Sequence, residues 1–115
     1  MTKDVRVYLD DVIESSLSIA TYIQTKSKEA FDKDEQLQDA VVRRLEIIGE
    51  AIKHLPIEFR EQHPQVAWKK ATGMRDVLIH MYDEVDTDQV WVTITEILPP
   101  FALQIKELLK TLEGK

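Results

Sequence analysis

Between residues 35 and 55 the apolar side chains Leu37, Val41, Leu45, Ile48, Ile52 and Leu55 recur at steps of three and four. That spacing constrains the fold more than any other feature of the chain. At about 100° per residue it gathers all six onto one stripe of an α-helix, whereas a strand would scatter them over both faces. The same reading extends in both directions. A first helix is predicted from about Asp4 to Tyr22 or a little beyond, with Val5, Leu9, Val12, Ile19 and Ile23 on its stripe. Asp32 or Asp34 is placed to cap the second helix, the former with Glu35 at capping-box spacing. Gly49 lies inside that helix, where glycine is costly, and predicts the close passage of another backbone.

Pro56 and Pro64 bracket a short helical segment, IEFREQH. A third main helix follows, either from Pro64 onward or from an N-cap at Thr72. Asp86, with Gln89 three residues on, opens a fourth helix carrying Val90, Trp91, Ile94, Leu98, Phe101, Ile105, Leu108 and Leu112. Pro99 and Pro100 delete backbone donors within it, and the unbroken apolar phase predicts a bend there and not a break. Only three glycines and four prolines punctuate the chain, and no β alternation occurs. The expected architecture is all-α: an antiparallel four-helix bundle with an additional short helix, built as a single domain over residues 1–115.

The chain has 115 residues, 43% hydrophobic and 31% charged, so it is too apolar for disorder and long enough for one core. It has no cysteine, which excludes disulfides, thiolate nucleophiles and cysteine zinc sites, and suits a reducing cytoplasm. The charged start MTKDVRVYLDD does not resemble a secretory signal, and a cytoplasmic, membrane-free protein is expected. The net charge of −6 predicts weak non-specific binding to nucleic acid. That charge is unevenly placed. Residues 43–80 carry 7 Lys/Arg against 5 Asp/Glu, while both flanking thirds are acidic. A local anion site in the middle third is therefore compatible with the acidic total.

That third contains RDVLIHMY, residues 75–82. On a helical wheel Met74, Val77, Leu78, Met81 and Val85 face the core. Arg75 and Tyr82 stack on one flank of this stripe, and Asp76 and His80, four apart, are neighbours on the other side. Ile79 points outward between the two polar pairs. A solvated surface accounts for such charges on most bundle helices. Here Thr72-Gly73 precedes Arg75, and a helix starting there would add free N–H groups to an anion site. The Asp76–His80 pair has the orienting geometry of a general acid or base. Because the Arg and His flanks diverge on one helix, a cleft between two copies of this face would aim them at one phosphate more directly.

Arg75-Asp76-x3-His80 resembles the Arg–polar–x3–His form of the R-x4-6-H signature of the HEPN superfamily. Its extension Arg75-x4-His80-x-Tyr82 is similar to that of HepT-like toxins. RRLEIIGEAIKHLP (43–56), HPQVAWKKATGMRD (63–76) and the VW pair at 90–91 resemble that family in order and spacing, so the likeness covers essentially the whole chain. The resemblance implies a homodimeric, metal-independent ribonuclease with an RNA substrate. It also implies a cognate minimal nucleotidyltransferase antitoxin that transfers AMP to the motif tyrosine. Arg75 and His80 take the catalytic positions, Asp76 the orienting position and Tyr82 the modified position. The double proline and the acidic total are departures that bear on substrate affinity.

Other candidates carry less. Arg43 and Arg44 are possible RNA contacts, one of them alternatively a buried pair partner. Glu46 and Glu50 could reach toward His80 or serve as exposed salt-bridge partners. His54 and His63 lack metal-ligand spacing and read as structural. DEVDTD (83–88) lacks the glycine and terminal glutamate of an EF-hand and reads as loop and cap. Trp68 and Trp91 read as core, and Ser15, Ser16 and Ser18 have no triad context. No metal and no cofactor is assigned. Two rival functions remain at this point: a non-catalytic subunit that binds a nucleotide or partners a nucleotidyltransferase, and a structural helical dimer with no site.

Overall fold

The computed structural model describes residues 4–71, 74 and 86–114. The fold is an all-α helical bundle, and no strand occurs among the described residues. Helix α1 spans Val5–Ile23, α2 Lys28–Lys33, α3 Glu35–His54 and α4 Ile57–Gln62. Helical conformation resumes at 68–71 and at Met74. Helix α5, Thr87–Val92, runs through a π-helical segment, Thr93–Ile97, into α6, Leu98–Glu113. Helix α1 packs against α3 and α6, while α2 packs against α3 and α5.

The apolar stripes become the core as their spacing requires. Leu9, Val12 and Ile19 of α1, Val41, Leu45, Ile48 and Ile52 of α3, and Phe101, Ile105 and Leu108 of α6 form one buried cluster. Leu37, Val5 and Ile23, at helix ends, are partly buried against it. Asp4 caps α1 by accepting from the Arg6 N–H at 2.9 Å. Asp34 caps α3 by accepting from the Leu37 N–H at 3.0 Å. Asp86 caps α5 by accepting from the Gln89 N–H at 3.1 Å. Each such bond is typically worth about 1 kcal/mol, because it satisfies a donor that has no partner within the helix.

The structure bears on three expectations. Asp32 is not a cap: it lies inside α2, a helix too short to show apolar periodicity, and it pairs with Lys28 at 2.8 Å. A Cβ at Gly49 would meet no described atom within 4 Å, so among the described residues no backbone passes close to it. Residues 68–71 and Met74 are helical, and Thr72, the other candidate start of the third main helix, lies outside the described residues.

The double proline is accommodated without a break. Pro99 and Pro100 are exposed and sit in the first turn of α6, directly after the π-helical segment. In that first turn their missing N–H groups cost least. A π turn is wider than an α turn and makes room for the pyrrolidine rings. Two threonine hydroxyls bond back one turn along this stretch, Thr93 Oγ1 to the Gln89 carbonyl and Thr95 Oγ1 to the Trp91 carbonyl, both at 2.7 Å.

Candidate active site

Arg75, Asp76, His80 and Tyr82 lie outside the described residues, as do Thr72, Gly73 and Ile79. What the structure gives is the framework on either side of them. Upstream, Val66, Ala71 and Met74 are buried. The Ala67 N–H donates to Gln104 Oε1 of α6 at 2.9 Å. Trp68 Nε1–H donates to the His63 carbonyl at 2.9 Å, and its indole meets Phe101 edge-on with centroids 6.3 Å apart. The chain thus enters the motif pinned to α6, with Met74 on the core side, as the wheel predicts.

Downstream, Val90 is fully buried and Trp91 packs on Phe31, ring centroids 5.4 Å apart. The Lys28 ammonium pairs with Asp32 on its own helix and with Asp88 on α5. Lys28 Nζ–H bonding to Asp32 holds that carboxyl below its ordinary value, with a further hydrogen bond from Thr87 in the same direction. Neither this bridge nor the Gln104 bond was anticipated. Both link residues far apart in sequence.

The described candidates divide. Arg43 is exposed and pairs with Glu46, Nη1 to carboxylate oxygen 3.5 Å. Arg44 is half-buried, and its Nε–H donates to the Tyr22 hydroxyl at 3.4 Å. Glu46 and Glu50 are exposed on α3. His54 stacks on Tyr8 with centroids 5.4 Å apart, and its Nδ1 lies 2.7 Å from the Glu50 carbonyl. A carbonyl only accepts, so that bond requires the proton on Nδ1. His63 packs against Phe59. Both histidines are structural, and both tryptophans pack against the core.

Among the described residues no group of three or more His, Cys, Asp or Glu side chains is placed to hold a metal ion. No helix of the described residues is long and apolar enough to cross a membrane. A groove of about 260 Å³ lies between α1 and the start of α6, lined by Ile13, Leu17, Leu98, Pro99 and Leu103. Lys106 is the one ionisable side chain on its wall, so it offers no acid–base pair.

With this framework the comparisons with known proteins are specific. Residues 12–108 match the family model described as ribonuclease HepT-like, a span that includes the whole RDVLIHMY segment. The chain belongs to the HepT-like ribonuclease family. It is 42% identical, over 98% of its length, to a gamma-glutamylcyclotransferase and candidate RNase of Methanocaldococcus jannaschii. It spans only 51% of that longer protein. A candidate RNase of Caldanaerobacter subterraneus subsp. tengcongensis is 44% identical over 94% of this chain and 96% of its own. A probable ribonuclease HepT of Thermococcus cleftensis is 37% identical over 96% of this chain and all of its own. No solved structure matches the chain.

Proposed function

We propose that this chain, acting as one domain over residues 1–115, is the ribonuclease toxin of a toxin–antitoxin pair. It works in the cytoplasm as a homodimer and without a metal ion. The observation that carries the reading is the family match, whose span, residues 12–108, includes Arg75, Asp76, His80 and Tyr82. In the dimer the two motif faces line one cleft, joining the divergent Arg and His flanks at a single phosphate. His80 takes the proton from an RNA 2′-hydroxyl, and O2′ attacks the adjacent phosphorus. The bond to O5′ breaks and that oxygen leaves as the 5′-hydroxyl, taking its proton from water. The products are a 2′,3′-cyclic phosphate and a 5′-hydroxyl. Arg75 offsets the charge that builds on the phosphorane, and Asp76 orients His80. Arg43, exposed on α3, adds an electrostatic contact to the RNA backbone.

Control falls to Tyr82. Its phenol is a poor nucleophile near neutrality, with a reference pKa of about 10, so it reacts only when a partner enzyme activates it. The cognate minimal nucleotidyltransferase would join Tyr82 Oη to the α-phosphorus of ATP, releasing pyrophosphate and the phenolic proton. The attached AMP phosphate then occupies Arg75, and substrate phosphate is excluded.

The test is incubation of purified, unmodified protein with RNA in EDTA. Cyclic-phosphate ends are expected. His80→Ala should lower the rate by about 10²–10⁴-fold, the usual contribution of general acid–base catalysis. Wild-type cleavage that His80→Ala retains would remove the assignment. Tyr82→Phe should cut RNA yet resist silencing by the nucleotidyltransferase. AMP mapped elsewhere by mass spectrometry would sink the control mechanism.

A further inference from the structure

Helix α2 is six residues long, well below the length at which a helix is stable by itself. The fold nevertheless holds it firmly. Ser27 Oγ accepts from the Ala30 N–H at 3.1 Å and caps its start. At its end the buried Gln38 amide donates to the Phe31 carbonyl at 2.8 Å and to the Asp32 carbonyl at 3.2 Å. Phe31 is fully buried. Spending a buried glutamine on the last carbonyls of one short helix fixes that helix against α3.

What α2 then presents is directed at α5. Phe31 meets Trp91, and Lys28 bridges from Asp32 to Asp88. Helix α5 starts at Thr87, immediately after the Asp86 cap and five positions beyond Tyr82. We propose that α2 is a strut that sets the downstream end of the motif, with Lys28 and Asp88 as positioning residues for RNA cleavage. This rests on the motif being the cleavage site. An exposed ion pair adds little to overall stability. Its effect here is on placement, to which the rate at a reacting centre is sensitive on the scale of about 1 Å.

The experiment uses the full chain with Lys28→Met, Asp88→Asn, the double variant and Lys28→Arg. Lys28→Met and Asp88→Asn should each lower kcat on RNA roughly threefold to fivefold, the range open to an exposed pair worth at most about 1 kcal/mol. KM and the thermal midpoint should hold, Lys28→Arg should restore kcat, and the double variant should be no worse than either single one. Hydrogen exchange of amides 75–92 should quicken in Lys28→Met and not in Lys28→Arg. Exchange unchanged in Lys28→Met would overturn the strut. So would kcat and thermal midpoint falling together, which marks a merely structural pair. If wild-type protein fails to cut RNA, the cleavage reading fails, and the exchange arm still decides the strut.

Discussion

Upstream of the motif, Val66, Ala71 and Met74 are 3%, 4% and 2% exposed. Downstream, the bridge from Lys28 to Asp88 joins side chains 40% and 78% exposed, and the Asp86 cap faces solvent. The first shoulder is held by apolar burial, which neither salt nor moderate pH alters much. The second combines apolar burial at Val90 and Phe31 with charges at its solvent edge that salt screens and acid neutralises. The framework therefore has one shoulder insensitive to salt and pH, its fixed end, and one partly sensitive to them, its adjustable end. Solution conditions that leave the bundle intact should act on the motif from the α5 side.

The largest expected effect tests the fixed end. Met74→Ala empties a buried site and should destabilise the protein by about 2–5 kcal/mol, read as a lower urea midpoint with an unchanged slope. The loss should be the same at low and high salt. A loss well under 1 kcal/mol, or one that vanishes in high salt, would break the contrast between the shoulders.

The contrast also separates what sequence can reveal from what it cannot. Leu37 to Leu55 spans several turns, so its periodicity names α3 and its buried face before any coordinates. The same holds for α1 and for the caps Asp34 and Asp86. Phe31 sits in a helix of two turns or fewer, where no period can register, so α2 was missed and Asp32 was misread as a cap. The prolines announced a disturbance, but the π turn that absorbs it depends on the backbone of 93–97 and has no sequence signature of its own. Gly49 was read as marking a close backbone, and no described atom bears that out. For the site, residue types and spacing brought Arg75, His80 and Tyr82 forward. The supports from Gln104 and Lys28 come from 37 and 60 positions away from the residues they hold. Only tertiary folding brings them there.

A middle-sized effect probes the adjustable end directly. Asp86→Ala removes the acceptor for the Gln89 N–H and should cost about 1 kcal/mol. Asp86→Asn keeps a side-chain oxygen that caps nearly as well, so it should cost much less. Equal losses in the two variants would show that charge, and not the capping bond, matters at this position. The cap of the downstream shoulder would then act through its charge.

The smallest effect is in acid, and its sign follows from which groups shift. Asp32 is lowered from its ordinary 3.8, first by the Lys28 hydrogen bond and then by Thr87. Asp4 is lowered to about 2, first by the Arg6 side-chain hydrogen bond and then by the Arg6 N–H. A depressed carboxyl contributes stability that is complete above its unfolded value and fades as pH falls through its folded value. Lys28 is raised above its ordinary 10.5, so its charge is in place throughout this range. Unfolding midpoints should therefore decline as pH falls below the ordinary carboxyl value of 3.8 toward the lowered values. Met74→Ala should run parallel to wild type, because it removes no titrating contact. Asp32→Asn should flatten the downstream part of the decline, and Asp4→Asn the part that belongs to α1 and is remote from the motif. A Met74→Ala profile that flattens, or an Asp32→Asn profile parallel to wild type, would erase the difference between the two shoulders.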